Sequence, residues 1–119
     1  MLSPWALSRC YVYNGACDMR KSFNGLCGLV RNELGKNPLS GEVFVFFNKR
    51  RTLVKILQWD LSGFVIYYKR LEEGTFGRLI NEATQAGTQI KGDELMLLLE
   101  GIELKNIQRR KRYFSQPFS

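Results

Sequence analysis

The sequence contains no histidine, three cysteines and only 11 acidic residues among 119. Without histidine the chain has no Ser-His-Asp or Cys-His nucleophile pair, no two-histidine iron site and no Cys/His zinc finger. Cys10, Cys17 and Cys27 are odd in number and lack the Cys-x-x-Cys spacing of a thiolate metal site. We therefore predict reduced thiols in a cytoplasmic protein that holds no metal and no cofactor.

Long apolar runs are also missing. The N-terminal segment 1–7 has no basic region and no long apolar region, and no later segment reaches about 18 uninterrupted apolar residues. The sequence therefore predicts neither secretion nor a membrane span. With 45% hydrophobic and 13% aromatic residues, a chain of this length can build one core without disulfides.

The net charge of +7 is unevenly distributed along the chain. Residues 1–70 hold 11 basic and 4 acidic side chains. Residues 71–104 hold 2 basic and 7 acidic side chains, and residues 105–119 hold 5 basic side chains and no acidic one. A basic body and tail separated by an acidic stretch indicate a polyanionic partner for one part and a basic partner, or the chain's own tail, for the other.

The first periodic segment predicts a helix from Asp18 to Leu34. Its apolar residues recur at steps of three and four, Asp18 is a suitable N-cap, and Gly35 is a suitable left-handed C-terminal residue. Gly25 and Gly28 interrupt this helix. Close approach to a sheet is one explanation for these glycines, and sequence drift is the other.

Short strand-like runs surround that helix. One is predicted at Arg9 to Tyr13, and three follow at Glu42 to Phe47, Thr52 to Trp59 and Phe64 to Arg70, the last three joined by connections of hairpin length. In an antiparallel meander, one face would carry Phe44, Phe46, Leu53, Lys55, Leu57, Trp59, Phe64, Ile66, Tyr68 and Arg70. The other face would carry Val43, Val45, Phe47, Val54, Ile56, Val65 and Tyr67. Both faces are apolar, so one helix cannot cover the sheet.

The second cover is predicted to be a short buried helix at Asp93 to Glu100, after a loop at 71–87. The resulting prediction is an α+β fold, with an antiparallel meander of three to four strands, one helix in the N-terminal half and one short C-terminal helix. Residues 1–107 would form a single domain, and residues 108–119 a flexible basic tail.

Basic residues cluster on the predicted turns, strand ends and tail, where guanidinium and ammonium groups reach phosphates and release counterions. For the turn cluster, protection of the sheet edge is an equal alternative, and for Arg20 and Lys21 a salt bridge to Asp60 or Glu72 is another. The predicted nucleic-acid-binding residues are Arg20, Lys21, Lys49, Arg50, Arg51, Lys55, Lys69, Arg70, Arg109, Arg110, Lys111 and Arg112.

Aromatic residues on the meander suggest a second kind of contact. An aromatic sheet face stacks bases in some nucleic-acid-binding proteins and docks partners in others, whereas aromatics at strand spacing more often form core. A helix or a second copy of the chain would cover that face. The candidate partner-binding residues are Phe44, Phe46, Trp59, Phe64 and Tyr68.

Catalysis is not predicted. The carboxylates available for a metal-dependent nuclease are Asp18, Asp60, Glu72 and Glu73, and each has a sufficient structural role as a cap, a turn former or a solvated charge. No nucleophile and base can be paired from their spacing.

Several motifs in order resemble one protein family. They are Asp18 to Leu26, Pro38 to Phe46, Lys55 to Asp60, Gly63-Phe64, Tyr67 to Glu72, Gly74 to Phe76 and Leu98 to Glu103. Together they resemble the small TnpB-type accessory protein that is the second reading-frame product of bacterial insertion sequences of the sixty-six class. In that class the catalytic transposase is a separate, longer protein, so the resemblance implies a role in transposition without implying a mechanism.

The leading hypothesis is therefore a non-catalytic accessory protein of DNA transposition that binds the element's DNA, its transposase or both. The alternative is a protein-interaction module that recruits or stabilises the transposase with little direct DNA contact. A metal-dependent nuclease is a remote third hypothesis.

Overall fold

A strand buried on both faces lies at the centre of the fold. In the computed structural model, which describes residues 5–80 and 86–105, β2 (Val43–Phe47) has five consecutive buried side chains. Such an apolar run forms a stable strand only where both faces of the sheet are covered. The other elements of the described residues are β1 (Arg9–Tyr13), α1 (Phe23–Asn32), β3 (Leu53–Asp60), β4 (Gly63–Arg70), β5 (Leu79–Ile80), β6 (Gly87–Lys91), α2 (Gly92–Leu99) and β7 (Leu104–Lys105).

The main sheet has five strands in the order β4-β3-β2-β1-β6. The strands β2, β3 and β4 form the predicted antiparallel meander, but β1 pairs parallel to β2, and β6 pairs antiparallel to β1. The α+β class is confirmed. The sheet itself is mixed and larger than the predicted three to four strands, because the segment after the meander returns to the far side of β1.

The predicted division of the meander side chains between two faces is confirmed. Phe44 lies opposite Leu57, which lies opposite Ile66, and on the other face Val45 lies opposite Ile56. Because side chains alternate along a strand, these pairs place every meander residue on its predicted face.

Each face has its own helix, as the two apolar faces require. On the first face α1 buries Leu26, Cys27 and Val30 together with Tyr11, Phe44, Phe46 and Leu57. On the second face α2 buries Leu95 and Leu98 together with Val43, Val45, Phe47, Val54 and Ile56. The cover is incomplete at β4, where Val65, Tyr67 and Tyr68 are exposed.

The first helix begins later than predicted. It starts at Phe23, with Ser22 as an N-cap residue whose side chain makes no capping bond. Asp18 is not the cap, because its carboxylate accepts hydrogen bonds from the backbone N–H and the guanidinium of Arg20 instead. Residues 18–21 form a turn, closed by the Lys21 N–H donating to the Asp18 carbonyl at 3.0 Å. Gly35 is left-handed, as predicted, but the helix ends at Asn32, two residues before the predicted end at Leu34.

The sequence pattern did not show β5, which lies within the predicted loop at 71–87, or β6, which begins at the last residue of that loop. β5 is two residues long and pairs parallel with β7, and β6 begins at Gly87. The boundary predicted between residues 107 and 108 lies outside the described residues. Of the helices in the described ranges, none combines the length and the apolar character needed to cross a bilayer.

Gly28 provides a test of local helix energetics. A Cβ atom added there would meet no heavy atom within 4 Å, so close approach to the sheet does not explain this glycine. We expect Gly28→Ala to raise the unfolding free energy by about 0.5–1 kcal/mol, because alanine loses less backbone entropy in a helix. Denaturant unfolding measures this change. Gly35→Ala, at φ +64°, should destabilise the protein, and an unchanged or lowered stability of Gly28→Ala would contradict the account.

Candidate nucleic-acid interface

Three chain segments meet at one end of the main sheet. The β2–β3 turn at 48–52 lies there, and the end of β4 joins it because the Leu71 N–H donates to the Thr52 carbonyl at 2.9 Å. The β1–α1 loop joins it because the Cys17 N–H donates to the Phe47 carbonyl at 2.9 Å. We call this region the basic end and define it by the cations that these segments carry: Arg20, Lys21, Lys49, Arg50, Arg51, Lys69 and Arg70.

Lys55 lies beneath the basic end and holds one of its loops. Its ammonium group donates to the carbonyls of Met19 and Lys21 at 2.8 and 2.7 Å and lies 4.7 Å from the centroid of the Tyr68 ring. The side chain is buried, with a relative exposure of 8%. Lys55 was predicted to contact nucleic acid, but its donors are directed at the β1–α1 loop, so the structure gives it the role of positioning that loop.

Arg51 also has internal partners. Its Nε donates to the Gly77 carbonyl at 3.0 Å, a second guanidinium N–H donates to the same oxygen, and the group lies 4.0 Å from the centroid of the Phe47 ring. Burial, together with the nearby charge of Arg78, lowers the pKa of Arg51 to about 10. Arg51 thus joins the β2–β3 turn to the segment before β5. Arg78 lies in a segment without periodicity, so no sequence pattern indicated that it would lie near this turn.

Two of the remaining cations of the basic end pair with carboxylates of the described residues, and the others do not. Arg20 pairs with Asp18 at 2.7 Å and Arg70 with Glu72 at 2.9 Å, both in exposed pairs of residues two positions apart. The predicted bridges from Arg20 and Lys21 to Asp60 or Glu72 are not present among the described residues. Four exposed cations of the basic end have no carboxylate of the described residues within 4 Å: Lys21, Lys49, Arg50 and Lys69.

Hydrogen bonds from Arg20 hold the pKa of Asp18 down at about 2. The carboxylate is therefore ionised throughout the neutral and mildly acidic range, and it partly neutralises Arg20. Because both side chains are exposed, the contribution of the pair to stability is small. Lys21, Lys49, Arg50 and Lys69 consequently carry most of the uncompensated charge that this end presents to solvent.

The sequence matches one protein family over most of its length. The model of the family described as IS66 Orf2 like protein matches residues 8–109. The chain belongs to the IS66 Orf2-like family. It is 30% identical over 110 residues to the uncharacterized protein y4jC of Sinorhizobium fredii (strain NBRC 101917 / NGR234), with 92% of each chain covered. It is 33% identical over 104 residues to the uncharacterized protein y4hO of the same strain, covering 87% of this chain and 89% of the relative. No solved structure matches.

This IS66 Orf2-like chain is therefore an insertion-sequence-associated protein, and the resemblance read from its motifs is confirmed. The match extends through all three segments of the basic end. The family description names neither a ligand nor a reaction.

The five aromatic residues predicted to bind a partner do not form one exposed platform in this family member. Phe44 and Phe46 are fully buried under α1 and belong to the core. Trp59 and Phe64 pack edge to face, with centroids 5.1 Å apart, at the opposite end of the β3–β4 pair. Tyr68 is 53% exposed beside the basic end, where it lines an open depression of about 340 Å³ with Leu53, Arg70 and Glu72.

The carboxylates of the family member are dispersed. Asp18 and Glu72 pair with arginines, whereas Asp60 is the last residue of β3, at the opposite end of the sheet. Within residues 5–80 and 86–105, no three metal-ligating side chains form a group. Burial raises the pKa of Cys10 to about 12, with Glu94 adding to the effect, and burial also raises the pKa values of Cys17 and Cys27. These three thiols are therefore poor nucleophiles.

The predicted tail residues Arg109, Arg110, Lys111 and Arg112 lie outside the described residues.

Lys55→Met tests whether Lys55 positions the β1–α1 loop. The substitution keeps an unbranched side chain but leaves the carbonyls of Met19 and Lys21 without their donor. We expect it to lower the unfolding free energy by about 2 kcal/mol, because hydrogen bonds to a charged group stabilise by about 1.5–3 kcal/mol. Denaturant unfolding measures the loss, and amide hydrogen exchange should quicken at residues 18–22. Lys49→Met, on an exposed turn, is the matched control. Equal unfolding free energies of the two variants would show that Lys55 does not position the β1–α1 loop.

Proposed function

We propose that this chain is a non-catalytic accessory protein of insertion-sequence transposition and that it binds DNA through the basic end. The observation that carries the proposal is the convergence of Lys21, Lys49, Arg50 and Lys69 from three separate chain segments. These cations are exposed on loops and a strand end, and no carboxylate among the described residues neutralises them. Phosphate groups are the ligands that such a set of cations favours.

The paired arginines add to this surface. Arg20 and Arg70 each pair with a carboxylate only two residues away, and both pairs are exposed. Exposed ion pairs are weak, so a phosphate can take over the guanidinium at low cost. Such contacts position a protein on the duplex without reading its sequence. The proposal is therefore a sequence-tolerant backbone contact.

The dispersion of the carboxylates supports the non-catalytic part of the proposal. Metal-assisted phosphoryl transfer uses several carboxylates that converge on one or two ions. Asp18 and Asp60 belong to opposite ends of the sheet, and Glu72 is engaged by Arg70. The chemistry of transposition would then belong to the separate transposase that the family resemblance implies.

The salt dependence of DNA affinity tests the proposed surface. The logarithm of DNA affinity falls with the logarithm of salt concentration, and each phosphate contact contributes about 0.9 to the steepness of that fall. We therefore expect the double variant Lys49→Gln/Arg50→Gln to make the slope shallower by roughly 2. Fluorescence anisotropy with a short duplex, between about 50 and about 200 mM salt, measures the slope. Deletion of residues 109–112 should make the same slope shallower by roughly 3 to 4.

The matched control for the double variant is Arg9→Gln/Arg31→Gln. It removes the same charge, but Arg9 lies at the opposite end of the sheet and Arg31 in the last turn of α1. Its slope should equal that of the wild type. Equal losses in both double variants would show that net charge alone drives binding. No DNA association of the folded wild type at low salt would overturn the proposal.

The second candidate is recruitment or stabilisation of the transposase with little DNA contact. It is favoured by exposed carboxylates after α2, at Glu100 and Glu103, within the acidic stretch of the sequence. A basic partner surface would complement them.

A pull-down with the transposase of the same element separates the two candidates. If protein contact dominates, retention of this chain should survive nuclease treatment and fall severalfold in Glu100→Lys/Glu103→Lys, whereas Lys49→Gln/Arg50→Gln should bind normally. Lysine is acceptable after a helix C-terminus, so the variant should fold. Retention that disappears with nuclease would contradict the second candidate.

A further inference from the structure

The outer edge of β4 is a regular strand of eight residues that no other strand of the described ranges pairs with. β4 is an end strand of the sheet, and each residue from Gly63 to Arg70 is in register with one residue of β3, so the strand contains no bulge. It contains no proline. Natural proteins usually shorten, bulge or charge such edges, because exposed backbone groups pair with other strands.

The other end strand, β6, is different. It has five residues, begins with Gly87, and alternates buried Thr88 and Ile90 with exposed Gln89 and Lys91. By contrast, β4 exposes Val65, Tyr67 and Tyr68 at 51, 40 and 53%. Of these two edges, β4 alone therefore combines length, regularity and apolar side chains.

The hydrogen-bond register determines which backbone groups of β4 point outwards. The bond from the Leu71 N–H to the Thr52 carbonyl extends the β3–β4 ladder. Hydrogen-bonded and non-hydrogen-bonded pairs alternate along an antiparallel ladder. The backbone N–H and C=O groups that bond to β3 therefore belong to Gly63, Val65, Tyr67 and Lys69. The backbone N–H and C=O groups directed away from the sheet belong to Phe64, Ile66, Tyr68 and Arg70.

We propose that β4 pairs antiparallel with β4 of a second copy of this chain, with Tyr67 of each copy at the two-fold axis. In this register Phe64 lies opposite Arg70 of the second copy, and Ile66 lies opposite its Tyr68. All four outward-directed residues of each strand are then hydrogen-bonded. The pairing joins the two five-stranded sheets into one.

The distribution of charge on β4 favours a second copy as the occupant. Both cations of the strand, Lys69 and Arg70, lie at one end, and aromatic and aliphatic residues occupy the rest. Antiparallel self-pairing places Arg70 over the ring of Phe64 and Lys69 beside Val65, so no like charges lie opposite each other. Parallel self-pairing would place the cations side by side. The charges on β4 thus favour antiparallel pairing with a second copy of the strand and disfavour parallel pairing.

Analytical ultracentrifugation of the nuclease-treated full chain tests the pairing without DNA. Between about 1 and about 100 µM, a range suited to a small interface, the mass should rise towards twice the 13.8 kDa of one chain. Tyr67→Glu and Tyr67→Lys should each weaken dimerisation about tenfold or more, because like charges then meet at the axis. Mixing the two variants should restore dimers, since the carboxylate of one variant then lies opposite the ammonium group of the other.

Val65→Glu is the matched control, because the new carboxylate would lie opposite Lys69 of the second copy and dimers should persist. Both Tyr67 variants lose the edge-to-face contact with Trp5 equally, so near-ultraviolet circular dichroism checks their folding. A wild type that stays monomeric over the whole range would overturn the proposal. A dimer unaffected by both Tyr67 variants, or a mixture no stronger than its components, would also overturn it.

Discussion

The fold depends on the burial of β2 on both faces. Five consecutive apolar residues, Val43–Phe47, leave no polar face for solvent. The neighbouring strands must then supply two apolar faces, and the chain must supply a cover for each. α1 covers one face and α2 the other.

This constraint also explains where the charged residues lie. With both faces of the inner strands occupied, cations are placed on turns, loops and the end of the edge strand, and several of these meet at one end of the sheet. Lys55 is the one buried cation among the described residues. It lies within the α1 face, and its burial is compensated by two carbonyl partners. This buried lysine and the hydrogen bond from the Cys17 N–H to the Phe47 carbonyl together hold the loop that carries Arg20 and Lys21.

Much of this arrangement could be predicted from local pattern. The alternation along Val43–Phe47 and its partner strands predicted which residues share a face, and the step of three and four from Met19 to Leu34 predicted α1. The strand β6 was missed because Gly87, Thr88 and Gln89 give a polar, glycine-containing run that becomes a strand only by pairing with β1. The basic residues were predicted from composition. Which of them have internal partners depends on long-range contacts such as Arg51 with Gly77, which no spacing rule contains.

The central claim is that DNA contacts the end of the sheet formed by the β1–α1 loop, the β2–β3 turn and the end of β4. Backbone amide chemical shifts recorded during titration with a short DNA duplex test it most directly. Among residues 5–80 and 86–105, the largest changes should fall at 19–21, 48–51 and 68–70, with little change at 37–42 and 60–62. Changes concentrated at 37–42 and 60–62, or no changes at low salt, would contradict it.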